Sequence, residues 1–269
     1  MPPTTPVRNF AFRKDANIWK QCITQYVHDA GVWKTINNGY VHDAGIWKRY
    51  INYMPDSTYL QMWMPFNNSH ADYSHNYVTG TNSGCTYVSN NHGENAIRLD
   101  AKTDYLAYNS SGVNGISSNI TFAFWIKIRS VPTTSGTSGI ILSRNNNNST
   151  YLGAWWIETY GSYSSLFFTT GGSYKGLHMF ENKINTWQHV VMTVDYNKHV
   201  KRYYDGDLYF DYITDFSTFD TSTNEVRFGD YYSASSYGSY GGFFDMFDFR
   251  IYNRVITDNE AKALYYYGL

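Results

Sequence analysis

Apolar and polar positions alternate through most of the chain. In Ile120-Thr121-Phe122-Ala123-Phe124-Trp125-Ile126-Lys127, residues Phe122, Phe124 and Ile126 fall on one side of an extended strand and Ala123, Trp125 and Lys127 on the other. Such a strand has one core face and a second, mostly apolar face. Trp187 to Asp195 reads as another long strand, and Phe247 to Tyr252 as one more near the end. Between the runs Val200 to Tyr204 and Asp207 to Phe210 stands Asp205-Gly206, a dipeptide suited to a two-residue hairpin turn. Strands this numerous, separated by Gly, Ser and Asn turns, predict an all-β sandwich from about Tyr59 onward. One helix is specified. Thr257-Asp258-Asn259-Glu260 is a capping box and Gly268 a C-terminal stop, which predicts a short helix over Asp258 to Tyr267.

The N-terminal part is organised differently. Val27-His28-Asp29-Ala30-Gly31-Val32-Trp33-Lys34 returns as Val41-His42-Asp43-Ala44-Gly45-Ile46-Trp47-Lys48, and a degraded copy precedes them as Asp15-Ala16-Asn17-Ile18-Trp19-Lys20. Trp19, Trp33 and Trp47 are thus fourteen residues apart. Asp-Ala-Gly suits a three-residue hairpin loop closed by a residue of positive φ, a position that Gly31, Gly45 and Asn17 tolerate. With Asn37-Asn38-Gly39 as return turn, this segment is expected to form a β-meander. The three tryptophans are expected to serve docking or oligomerisation, because so small a ribbon is not stable alone. The chain divides into residues 1–55, an arm with hairpin repeats, and residues 56–269, the sandwich.

Two resemblances follow. Tyr26 to Lys34 and Tyr40 to Lys48 are similar to short hairpin repeats in structural proteins of tailed bacteriophages. The ordered series Leu60 to Phe66, Ala96 to Leu99, Thr121 to Ile126, Trp187 to Asp195, Tyr203 to Gly206 and Phe249 to Thr257 resembles the laminin-G-like, or concanavalin-A-like, jelly roll. That fold serves sugar binding, protein binding and shell building alike, so it does not choose a function.

Composition narrows the partners. Of 269 residues 19% are aromatic and only 16% charged, so the surface draws its polarity from hydroxyls and amides. The formal charge is −1 and no basic block exists, which argues against nucleic acid. No apolar run reaches the roughly 18 residues of a membrane helix, and the opening residues lack a secretory apolar core. Cys22 and Cys85 have no CxxC partner and read as reduced thiols.

Candidate chemistry is sparse. Glycan hydrolases need paired carboxylates, whereas Glu158 stands alone in Trp155-Trp156-Ile157-Glu158 and reads as a solvated or hydrogen-bonded residue. The jelly-roll resemblance implies a structural calcium held by Asp72, Ser74 and Asn76 at alternating positions in the loop after the first strand and by Asp248 before the last. Phe247 takes the place of the first of two adjacent acids usual there, leaving Asp248, and no cofactor is otherwise required. Tyr231 to Gly242, with Tyr231, Tyr232, Tyr237 and Tyr240, has a paratope-like mixture of Tyr, Ser and Gly. Together with Trp156, Tyr163 and Tyr174 these are the candidate ligand contacts, suited to a host-surface glycan or to a neighbouring subunit. Trp155 and Trp156 are expected on opposite faces of a strand.

The combined expectation is a non-enzymatic structural protein of a tailed-phage virion, assembled in the host cytoplasm and carried on the tail or its fibres. Residues 1–55 would dock to other virion proteins and join protomers, a trimer being favoured, while the jelly roll meets host glycans. A head-decoration protein and a secreted glycan-binding adhesin are the alternatives, with a glycoside hydrolase behind both.

Overall fold

The structure, a computed structural model, describes residues 54–90, 94–109, 119–132, 138–144, 155–170, 173–214, 225–230 and 243–267, and the backbone of six N-terminal strands. Those six are β1 (Lys14–Asp15), β2 (Ile18–Trp19), β3 (Gln25–Asp29), β4 (Val32–Ile36), β5 (Asn38–Asp43) and β6 (Ile46–Ile51). They pair as three separate antiparallel hairpins, with Trp33 opposite His28 and Trp47 opposite His42. The period of fourteen is therefore a hairpin period. Two expectations change. Asp29 pairs with Val32, leaving two residues between the strands rather than three. Asn38 and Gly39 belong to β5, opposite Ile51 and Tyr50, so they are not a return turn and the hairpins do not join as a meander. Docking by Trp19, Trp33 and Trp47 concerns side chains outside the described residues.

The sandwich begins with β7 (Leu60–Met64), β8 (Gly80–Ser83), β9 (Thr86–Ser89), β10 (Asn95–Leu99), β11 (Tyr105–Tyr108) and β12 (Ile120–Ser130). It continues with β13 (Gly139–Arg144), β14 (Trp155–Tyr160), β15 (Tyr163–Thr170), β16 (Ser173–Glu181) and β17 (Gln188–Val194). The chain then forms β18 (His199–Tyr204), β19 (Asp207–Ile213), β20 (Val226–Phe228), β21 (Phe243–Tyr252) and the helix α1 (Asp258–Tyr267). An eight-stranded sheet runs β19-β18-β17-β12-β21-β10-β9, with β7 also on β21, and a seven-stranded sheet runs β16-β15-β14-β13-β20-β11-β8. All sandwich pairings are antiparallel.

Between the sheets lies one apolar core in which Phe122, Phe124 and Ile126 of β12 meet Trp155, Leu166 and Phe180. The opposite side of β12 is buried too. Ala123 lies with Val191, Tyr203 and Tyr252 under Ala261 and Leu264 of α1, while Trp125 stacks on Phe247 at 5.4 Å and on Tyr265 at 5.4 Å. The second apolar face read from the sequence is thus the seat of the helix. Asp205 and Gly206 both have positive φ, +49° and +85°, as a type I′ turn demands.

The capping box forms as expected. Thr257 Oγ1 accepts from Glu260 N at 3.3 Å, and Thr257 N donates to Glu260 Oε2 at 2.7 Å. Thr257→Ala is expected to cost about 1 kcal/mol, read as a lower urea midpoint. Cys85 is buried and free, and burial, then Asp104, pushes its thiol up to about 12, so it stays protonated.

His189 on β17 is fully enclosed between Trp125 and Tyr265, at 5.2 and 5.8 Å between rings. Burial, and secondarily Arg250, hold its pKa down to about 3. The folded protein therefore keeps it neutral while the unfolded chain protonates it below about 6.5. Its contribution is complete above that pH and is lost as pH falls toward 3, at about 1.4 kcal/mol per unit. Urea unfolding at pH 7.5 and pH 4.5 measures this. His189→Gln is expected to flatten the difference by about 2–3 kcal/mol.

Candidate functional site

With α1 on the eight-stranded sheet, the other broad surface is the outer face of the seven-stranded sheet. Strand periodicity sends Trp155 and Ile157 of β14 into the core and Trp156, Glu158 and Tyr160 outward. The register then aligns them with outward residues of β15 and β16. One row reads Trp156-Phe167-Gly176, the next Glu158-Ser165-His178, and the third Tyr160-Tyr163-Glu181. On the other side of Trp156 the first row continues through Ser143 to Arg227, whose guanidinium lies 5.0 Å from the Tyr105 ring.

The rings of the first row pack tightly. Trp156 and Phe167 stack nearly parallel, with centroids 4.9 Å apart and planes 7° off, and Tyr174 leans on both at 5.8 Å. Gly176 makes room for this. A Cβ there would sit 2.5 Å from Phe167 Cε1, so the ring lies across the glycine backbone. Trp156 is 4% exposed, and its indole N–H donates to Glu158 Oε2 at 3.1 Å, an oxygen that also accepts from Ser138 Oγ at 3.1 Å. Glu158 is thus the hydrogen-bonded residue the sequence suggested, and it fixes the tryptophan edge. On the same face Tyr160 and Tyr163, two rows from this stack, and Tyr174, against it, stay open at 41, 42 and 50% exposure. Tyr163 adjoins the His178 ring at 5.2 Å. Partial burial, and then Arg202, lower the His178 pKa below the usual imidazole value, so at neutral pH it offers one donor and one acceptor nitrogen.

Three of the expected ligand contacts, Trp156, Tyr163 and Tyr174, therefore share one face, Tyr174 against Trp156 and Tyr163 two rows further along the strands. Tyr231, Tyr232, Tyr237 and Tyr240 lie outside the described residues. Phe167, Gly176, Ser165, His178 and Tyr160 were not singled out from the sequence. Alternation within Tyr163 to Thr170 places Tyr163, Ser165 and Phe167 on one face, but cross-strand alignment depends on a bulge near Ser164 and Ser165 that alternation does not disclose.

The expected calcium ligands come together around Trp63 of β7. Asp72 Oδ1 accepts from Trp63 N at 3.0 Å and Ser74 N at 2.8 Å, and Oδ2 from Ser74 Oγ at 2.8 Å and Val78 N at 2.9 Å. Asp248 Oδ1 accepts from the Trp63 indole at 2.8 Å and from Arg250 Nε at 2.8 Å, and Asn76 Nδ2 donates to Gln61 O at 2.8 Å. A calcium ion takes six to eight oxygens whose lone pairs face it, whereas these carboxylates face N–H and O–H donors. Among the described residues no group of three or more His, Cys, Asp or Glu is placed to hold a metal. The residues present do not fit a calcium ion. The guanidinium of Arg250 supplies the positive charge instead.

Comparison with curated protein sequences gives no match. The sequence profile of a laminin-G family, described as the concanavalin A-like lectin/glucanases superfamily, matches residues 100–262. Among solved structures, the binding domain of Paraclostridial Mosquitocidal Protein 1 superposes with a TM-score of 0.62 at 18% identity, covering 78% of this chain and 52% of that one. The binding domain of botulinum neurotoxin serotype G gives 0.61 at 16% identity, covering 77% and 51%. The receptor binding domain of botulinum neurotoxin D gives 0.60 at 18%, covering 78% and 52%. The chain spans about half the length of these structures, and at such identities the likeness is one of fold.

Proposed function

Because the chain belongs to the concanavalin A-like lectin/glucanases superfamily, we propose that it binds a host-surface glycan on the outer face of β14, β15 and β16, and that it does so without catalysing a reaction. The observation that carries this reading is the trio Tyr160, Tyr163 and Tyr174, open to solvent on the same face as the Trp156–Phe167 stack, Ser165 and His178. Flat apolar ring faces match the C–H faces of a sugar, and adjoining hydroxyl, imidazole and carboxylate groups match its hydroxyls. Support comes also from the structurally similar domains of a mosquitocidal protein and of botulinum neurotoxin D, which are binding domains.

We further read this module as carried on a tailed-phage virion, with residues 1–55 joining it to other virion proteins and to further copies of itself; the hairpin repeats and their resemblance to phage structural repeats support that reading. Weak glycan contacts then add across copies. A secreted adhesin is the second reading, favoured by the similarity to the binding domains of a mosquitocidal protein and of botulinum neurotoxin.

A glycan array probed with the full chain tests the binding claim. Wild type is expected to retain a defined set of glycans, and Tyr163→Ala and Tyr174→Ala each to weaken retention about tenfold, close to 1.4 kcal/mol, at unchanged Tm. Equal retention by wild type and both variants contradicts the assignment. Cryo-electron microscopy of purified virions tests the location: density containing residues 1–55 at the particle supports the virion reading, and absence from virions favours the adhesin.

A further inference from the structure

On the opposite sheet, beyond the Trp125–Phe247 stack, three cations gather around one carboxylate. Register places Arg98 of β10, Asp245 of β21 and Lys127 of β12 in a single row. The Asp245 side chain has no solvent exposure. Arg98 grips it with two hydrogen bonds, Nε to Oδ1 at 2.8 Å and Nη2 to Oδ2 at 3.0 Å, and Lys127 Nζ lies 2.8 Å from Oδ2. That is already sufficient for one carboxylate. Arg129 comes third, its Nε 3.4 Å from Oδ1, buried and without an acceptor in hydrogen-bond geometry, and its Nη2 donates to Leu99 O at 3.1 Å.

Among the described residues, no carboxylate other than Asp245 lies within 4.0 Å of these three cations. The exposed Asp100 acts on Arg98 only at longer range. Three positive charges thus face one negative charge in a chain whose formal net charge is −1. The cations are 28, 17 and 23% exposed, so their free donors reach solvent while Asp245 does not. Lys127 also lies 4.8 Å over the Trp187 ring, which makes the cationic surface continuous with an aromatic one.

We propose that Arg98, Lys127 and Arg129 form a second binding site, separate from the tyrosine face, for the acidic group of a saccharide, a carboxylate or a sulfate ester. Asp245 fixes the cations in place, and the ligand anion neutralises the surplus they carry. Charge-assisted hydrogen bonds from a preorganised cluster are the strong kind, and the adjoining indole favours a ring bearing the anion over a bare ion. The proposal stands independently of whether the tyrosine face binds glycan.

The test is a titration of the full chain, followed by amide NMR at constant ionic strength, with glucuronate, glucose 6-sulfate, inorganic sulfate and glucose as probes. Glucuronate or glucose 6-sulfate is expected to shift amides of β10, β12 and β21, and comparison of the two identifies the preferred acid. Glucose is expected to leave those amides unmoved, and inorganic sulfate to bind at least fivefold more weakly than the better acidic sugar. Arg129→Gln, chosen because Arg129 is the cation farthest from Asp245, is expected to weaken binding five- to tenfold, whereas Lys198→Gln, with the same loss of charge in a distant turn, leaves it unchanged. The wild-type shift map stands even if Arg129→Gln folds poorly. The site is refuted if neither acidic sugar moves these strands, if inorganic sulfate binds as well as the sugars, or if Lys198→Gln weakens binding as much as Arg129→Gln.

Discussion

Gly176→Val is expected to abolish glycan binding while the sandwich stays folded. The position lies in β16, opposite Phe167, and the missing side chain is what lets the phenyl ring lie flat against the strand. A valine puts its Cβ within 2.5 Å of Cε1, so the ring must swing away and the parallel stack with Trp156 opens. Tyr174, which rests on both rings, loses its support. Backbone strain is not introduced, because Gly176 is not among the positive-φ residues and valine suits a strand. The expected outcome is at least a hundredfold loss of binding, close to 2.7 kcal/mol, with global stability changed by less than about 1 kcal/mol. Binding measured by isothermal titration beside a urea melt separates the two. Loss of both together would make Gly176 a folding residue only.

The contrast between Phe122 and Phe167 shows how much of this was legible in the sequence. Phe122 belongs to an unbroken alternation, so its burial in the core and the partnership of Ala123 and Trp125 with another layer follow from period two alone. The Asp205-Gly206 turn and the Thr257–Glu260 cap were legible for a similar reason, since each is a local device whose residues sit within a few positions of one another. Phe167 and Gly176 are different: they meet only through the register of β15 and β16, which a bulge offsets. The donors that face Asp72 and Asp248 were hidden by the same blindness. Asp248 is an extra residue on β21, with φ +50°, at a register shift against β12, and only that geometry turns its carboxylate toward Arg250 and the Trp63 indole. The hairpin repeat was visible as a period, but its two-residue connections and unjoined strands depend on pairing that a period does not specify.

Arg250→Ala is expected to give the largest loss of stability, about 3–5 kcal/mol. The guanidinium is buried, with Nε and Nη2 each 2.8 Å from Asp248 Oδ1, and it lies between the rings of Trp63 and Tyr267 at 4.7 and 4.6 Å. Removing it leaves Asp248 buried without its counter-charge and leaves two aromatic faces without their cation. Burial opposes the charge on Arg250, yet Asp248 and the nearby tyrosines raise its pKa, so the guanidinium stays charged at neutral pH. Arg250→Lys is expected to recover only part of the loss, because an ammonium lacks the planar guanidinium that lies between the Trp63 and Tyr267 rings while its Nε reaches Asp248. In our account this internal cation takes the role of a metal. Accordingly, millimolar calcium or a chelator is expected to leave the wild-type Tm unchanged. A chelator-induced fall in Tm would contradict that account, as would an Arg250→Ala variant as stable as wild type.

The central claim is that the outer face of β14, β15 and β16 is where this protein meets a glycan. Hydrogen–deuterium exchange of the full chain, with and without the strongest glycan from the array, tests it most directly. The account predicts protection concentrated in Trp155–Tyr160, Tyr163–Thr170 and Ser173–Glu181. Protection confined to the eight-stranded sheet, with those three strands unchanged, would contradict it.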